Sequence, residues 1–126
     1  MSLVSVFALI FAFLIKQLLC DFIQPGWMAT QKSKPLEAEG GRALFTHAAI
    51  HAMGTLIIVG LFNVGYWWLA LIDFVVHAVI DRAKSLYVSK RKLGINQIRY
   101  WFVYGLDQTL HHATHLIFVM IMIGIL

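Results

Sequence analysis

The sequence predicts an all-α polytopic membrane protein: a bundle of four transmembrane helices with both termini on the non-cytoplasmic side. Three observations lead there. The 126 residues are 60% hydrophobic and only 13% charged, with a mean hydropathy of +0.79. Apolar stretches recur at close to the length that crosses a bilayer, roughly 20 residues per helix. The Lys and Arg residues gather in or beside two of the three connections. Predicted helices cover about residues 3–23, 43–61, 65–82 and 100–126. They leave little chain over, so residues 1–126 read as a single transmembrane domain.

The first segment meets its first charge only at Lys16, so it lacks the basic start of a signal peptide. "LLC" at residues 18–20 has Leu19 where a lipoprotein cleavage site needs a small residue, and the segment reads as a retained helix. Cys20 is the only cysteine, which excludes an intramolecular disulfide and a zinc site built on two thiolates of one chain. The first connection, "QPGWMATQKSKPLEAEGGR", holds both prolines and is too polar to lie in lipid. Two readings stay open for it: a flap on the cytoplasmic face with Trp27 and Met28 dipped into the interface, or a plain solvated loop.

The second helix carries "HAAIH" at residues 47–51. The second connection, "NVGYWW", has no charge, and its Tyr66, Trp67 and Trp68 suit an outer aromatic belt. The third helix carries "DFVVHAVID" at residues 73–81. Arg82, Lys84, Lys90, Arg91, Lys92 and Arg99 follow in or beside the third connection, as Lys32, Lys34 and Arg42 do in the first. The positive-inside rule then places connections one and three in the cytoplasm. The fourth helix begins with Tyr100, Trp101 and Tyr104 at the inner interface, carries "DQTLHHATH" at 107–115, and ends in the apolar "LIFVMIMIGIL". The formal charge of +4 suits anionic lipid headgroups, and nucleic-acid binding is not needed to explain it.

Four residues of a helix rotate by about 40° and rise about 6 Å. Asp73, His77 and Asp81 therefore share one face of the third helix. Asp107, His111 and His115 share one face of the fourth, and His47 and His51 one face of the second. Asp21 lies near the cytoplasmic end of the first. With the predicted orientation, all nine fall in the cytoplasmic half, and rungs pair Asp81 with Asp107, His77 with His111, and Asp73 with His115. His112 lies off this face. An Asp at the bilayer centre costs roughly 2.5–3.5 kcal/mol on insertion scales, so such residues face a bundle interior and mark function. Lys16, Arg82 and Lys84 are the cationic neighbours in reach. A divalent cation compensates the rest, and His with Asp but no thiolate suits Zn, Fe(II), Mn or Co.

The expected metal ligands are His47, His51, His77, Asp81, Asp107, His111 and His115, for one or two divalent ions of Zn, Fe or Mn. Asp21 or Asp73 is the expected general base, and Lys84 the residue to meet a phosphate headgroup. A hydrogen-bond network without metal is the competing account of the ladder.

"CDFIQPGWMATQKSK", "HAAIH", "DFVVHAVIDRAK" and "DQTLHHATH" occur in the same order as the motifs of a family of short bacterial and phage membrane proteins defined only as a domain of unknown function, which this chain resembles over most of its length. The resemblance implies a multi-pass protein of the bacterial inner (cytoplasmic) membrane and brings no activity. More loosely, the His/Asp helices are similar to those of predicted membrane-bound metal-dependent hydrolases, which implies a metal at His47, His51, His77, Asp81, Asp107 and His111. The two His clusters also resemble those of membrane di-iron desaturases, which have more histidines and longer chains. His77 with Asp81 resembles the zinc sites of cation-diffusion transporters.

The leading expectation is a metal-dependent hydrolase of a lipid or other amphiphile, with a phosphate ester as substrate class. The alternatives are a metal-ion or proton transporter and a binding or regulatory membrane protein stapled by metal. Expected partners are membrane lipids and the amphiphilic substrate, with a homo-oligomer left open.

Overall fold

Four long helices account for most of the chain in the computed structural model, which describes residues 1–126. α1 spans Leu3–Phe22, α2 is a short helix at Gly26–Thr30, α3 spans Glu39–Phe62, α4 spans Leu69–Lys90 and α5 spans Ile98–Met122. A 3₁₀ turn at Val64–Tyr66 joins α3 to α4, with the Asn63 side chain accepting from Gly65 N at 3.0 Å. There is no strand.

Several boundaries differ from the sequence reading. α4 does not end near residue 82 but continues to Lys90, because "RAKSLYVSK" contains no Gly or Pro to stop it. It ends in a turn with Lys92 at φ 51°, where Lys92 N donates to Ser89 O and Leu93 N to Val88 O. That is the left-handed close of a helix usually given to Gly. α3 begins at Glu39 rather than 43, and α5 ends at Met122, just before Gly124 with φ 78°.

Neighbouring pairs in the bundle are α1–α3, α3–α4, α4–α5 and α5–α1, each pair antiparallel. Three segments are long and apolar enough to cross a membrane: Leu3–Phe22, Glu39–Phe62 and Val64–Lys90. This corrects the expectation of four. α5 is long enough, but Asp107, Gln108, His111, His112 and His115 lower its apolarity.

The bundle is polar inside and apolar outside. Of 28 buried residues, twelve carry polar or charged side chains, while Phe7, Phe11, Leu18, Leu61, Leu71 and Phe102 stand exposed. A water-soluble domain sorts its side chains the other way. In lipid the hydrophobic effect drives little helix association, so close packing and interhelical polar contacts hold such a bundle together. One end is closed by an apolar cluster in which Leu9 and Phe13 of α1, Val59 of α3 and Phe118 of α5 meet. The polar residues fill the other end.

The first connection is neither a free loop nor a shallow flap. Met28 and Lys32 are buried, and Arg82 of α4 donates to the Lys32 and Lys34 carbonyls at 2.6 Å each. Gly40 and Gly41 allow this path, since a Cβ on either would overlap the backbone carbonyls of Lys34 and Leu36. Trp27, half-exposed, packs under the Arg42 guanidinium at 5.1 Å.

Candidate metal centre

Asp21 near the end of α1 is the hub of the polar end. Its Oδ1 lies 3.0 Å from His47 Nε2 and 2.9 Å from His51 Nε2, both on α3. The same oxygen is 3.8 Å from His77 Nε2 on α4. Its Oδ2 accepts from Gln17 at 2.8 Å and from Gln108 at 2.6 Å. The four-residue spacing of His47 and His51 stacks them on the face of α3 that meets α1 and α4.

One ligand atom from each of Asp21, His47, His51 and His77 lies within 4.8 Å of every other. The same holds for His77, Asp81 and His111, and for Asp21, Asp107 and His111. The three groups overlap, so seven residues from all four long helices form one continuous cluster. The rings of His51 and His77 stack at 3.6 Å between centroids, and those of His77 and His111 at 3.8 Å.

The donor atoms can be checked against the need for partners. His77 is 1% exposed, and neither of its ring nitrogens has a hydrogen-bond partner. Asp107 Oδ1 is also buried without one, although His111 Nε2 lies 3.3 Å away. Buried polar atoms are rarely left so, because each forfeits its hydration. Charge sharpens the point. Lys32 pairs with Asp81 at 2.8 Å, Lys84 with Asp107 at 3.0 Å and Lys16 with Asp73 at 2.6 Å. Asp21 alone among these carboxylates has no lysine; imidazoles meet its Oδ1 and two glutamine amides its Oδ2. Three imidazoles and a carboxylate without thiolate are a donor set that fits a divalent transition metal.

The sequence-predicted residues divide into two sets. His47, His51, His77, Asp81, Asp107 and His111 come together, and Asp21, expected as a base, lies among the candidate ligands. His115 and Asp73 lie elsewhere. Lys16 Nζ sits between them, 2.6 Å from Asp73 Oδ2 and 3.0 Å from His115 Nε2, and Thr55 Oγ1 donates to Asp73 Oδ2 at 2.6 Å. Phe13 stacks on His115 at 4.9 Å. This second cluster faces the apolar end and belongs to none of the ligand groups. Asp73 Oδ2 is thus held by Lys16 and Thr55, while His115 Nε2 lies 3.6 Å from Oδ1, beyond hydrogen-bond reach. Lys84, expected just past the end of the third helix, lies within α4 one turn past Asp81 and donates to Asp107 Oδ2.

Three contributors escaped the sequence reading. Thr55 continues the four-residue register after His51 and was legible in that spacing. Gln108 is one residue off the α5 ladder face, and Lys32 sits in a loop. Neither gives a sequence signal.

The chain matches the family described as protein of unknown function (DUF3307) over residues 9–125. It belongs to that family. The DUF3307 match covers the whole cluster, from Asp21 to His111, and also His115. No curated protein and no solved structure matches the chain. DUF3307 carries no activity with it, so any reaction must be argued from the His/Asp geometry.

Proposed function

We propose that this protein is an intramembrane metal-dependent hydrolase acting on a lipid or other amphiphile at the cytoplasmic leaflet, with a phosphate ester as substrate class. The observation that carries the reading is the meeting of His47, His51 and His77 around Asp21, a carboxylate with no lysine partner. These four residues would hold one ion of Zn, Fe or Mn, and Asp81, His111 and Asp107 offer ligands for a second. A bound divalent ion supplies Lewis acidity and a water acidified toward neutrality. Asp107 Oδ1, buried beside His111 and free of hydrogen bonds, would be a ligand to the second ion or, with one ion bound, the carboxylate that accepts a proton from water. Lys84 orients Asp107 through Oδ2 and meets the anionic ester.

The membrane placement belongs to the same reading. We infer that α5, although less apolar on average than the three spanning segments, crosses the bacterial inner membrane with them, because its polar face is turned inward. Asp107, His111 and His115 are buried, while Leu106, Leu110 and Leu116 are exposed. The end of the bundle that carries the basic connections faces the cytoplasm, and both termini lie outside. The apolar cluster at the far end supports access from one side only, as a hydrolase requires and a transporter does not.

The deciding experiment is elemental analysis of the protein purified in detergent, followed by incubation with a phospholipid extract. We expect at least one transition metal per chain and release of water-soluble phosphate products, both lost in His51→Ala. Folded, metal-free protein would reject the centre. Metal flux into sealed proteoliposomes without lipid turnover would decide for transport. Bound metal with a co-purifying partner and no turnover would decide for a regulatory role.

A further inference from the structure

A groove of about 900 Å³ runs between α4 and α5 and meets the cluster at Asp107. Its walls are mainly apolar, with Val79 and Ala83 on α4 facing Val103, Leu106 and Leu110 on α5. Its charged residues are unevenly placed. Arg91, the residue that caps the C-terminus of α4, and Arg99, in the first turn of α5, stand at the loop end. Lys84 and Asp107 stand deeper. The lysine–carboxylate pairs of the chain use Lys16, Lys32, Lys34 and Lys84, so Arg91 and Arg99 have no acidic partner. Arg91 instead lies over the Tyr87 ring at 5.8 Å, on the groove wall.

We propose that this groove seats a single anionic phospholipid, with its phosphate at Arg91 and Arg99 and a hydrocarbon chain along the apolar walls. The dimensions agree. From Arg99 to Leu110 a helix rises about 16 Å, close to half of a roughly 30 Å hydrocarbon core. A groove that is cationic at one end and apolar over the length of one leaflet matches an amphiphile lying parallel to its neighbours in the bilayer. Guanidinium groups bind phosphate oxygens through paired N–H donors, and basic pockets between transmembrane helices hold anionic headgroups. Zwitterionic lipids carry their own compensating cation and gain less from two unpaired arginines.

The groove also touches the metal centre. Asp107 forms part of its wall through Lys84 and lies 3.3 Å from His111 on its other side. A lipid entering sideways from the membrane therefore reaches the cluster without crossing water. In this respect the inference rests on the hydrolase reading: the lipid held at Arg91 and Arg99 is then the waiting substrate, whose phosphate would move inward to Lys84 to react. Lipid binding itself does not need the metal.

The test uses the full chain in phosphatidylcholine vesicles with a trace of phosphatidylglycerol bearing a photoreactive group on its acyl chain. Cross-links should concentrate on residues 83–87 and 102–110. Arg91→Gln with Arg99→Gln should lower that labelling at least about tenfold, a loss of roughly 1.4 kcal/mol of binding. Leu106→Trp, which fills the groove, should abolish it, whereas Leu18→Trp on the outer face of α1 should not change it. A phosphatidylcholine probe should label weakly and evenly. Equal labelling by both probes, labelling insensitive to the two arginines, or competition by inorganic phosphate alone would overturn the proposal. Labelling is also measured after chelation. Labelling that persists in a protein with neither metal nor turnover keeps the groove and removes the hydrolase. Metal and turnover without groove labelling does the reverse.

Discussion

Lys32 Nζ lies 2.8 Å from Asp81 Oδ2, with side-chain exposures of 5% and 2%. A lysine from a connection is therefore built into the floor of the candidate centre, one carboxylate away from His111, which contacts Asp81 Oδ1 at 3.1 Å. Removing one partner of a buried pair leaves the other charge uncompensated, which costs about 3–5 kcal/mol. Lys32→Met is expected to lower the unfolding free energy in detergent by an amount in that range, read as a fall in the thermal midpoint. A surface-like loss of about 0–1 kcal/mol would show that Lys32 does not hold Asp81.

The path of the first connection depends on two glycines. A methyl group at Gly40 or Gly41 meets backbone, not a flexible side-chain end, so the loop has to move. Gly40→Ala and Gly41→Ala should each cost about 1–3 kcal/mol through overpacking. Limited trypsin digestion should then cut faster after Lys32, which the folded loop buries, whereas the Lys34–Pro35 bond resists trypsin in either case. Unchanged digestion kinetics would count against this packing.

Lys16 and Asp73 form a pair separate from the candidate metal centre. Lys16→Met should destabilise the bundle, and Lys16→Met with Asp73→Leu should recover most of the loss, because an apolar pair leaves no buried charge behind. Metal content should be unchanged in both. Gly54→Ala probes the same pair from outside, since its Cβ would stand 2.9 Å from Lys16 Cγ and push the lysine stem aside. Loss of metal in Lys16→Met would join the two clusters into one.

His77 contributes to two ligand groups and has no other partner. His77→Ala should lose most bound metal, and chelation should lower the unfolding midpoint of the unmodified protein. A ligand present at a thousand times its Kd stabilises by about 4 kcal/mol, so the shift should be several degrees and reverse on adding metal. An unfolding midpoint indifferent to chelator would argue against a metal-held bundle.

Topology is open to a direct check. A reporter that is active only outside the cytoplasm, fused after Leu126, should be active. A reporter that works only in the cytoplasm, inserted beside Gly94, should work there. The opposite pattern would move the centre to the other leaflet.

The residues of each ladder, and their sharing of one helix face, were legible without any structure. A rotation of about 40° per four residues is a local property of the helical backbone, so Asp73, His77 and Asp81 had to align wherever α4 packed. The inverted sorting of polar and apolar residues was legible for the same reason. So were two of the three rungs, Asp73 with His115 at 3.6 Å and the stacked rings of His77 and His111 at 3.8 Å. How the rungs divide into two clusters was not. That depends on the rotation and stagger of four helices against each other, and a small axial offset decided that His115 and Asp73 close around Lys16 while His111 joins Asp81. The role of Asp21 was hidden because it needed α3, α4 and α5 to bring His47, His51, His77 and Gln108 to one carboxylate. Lys32 was hidden more completely. Its burial follows from a loop folding back over the bundle, which two glycines permit and Arg82 clamps, and such non-local contacts leave no period in the sequence.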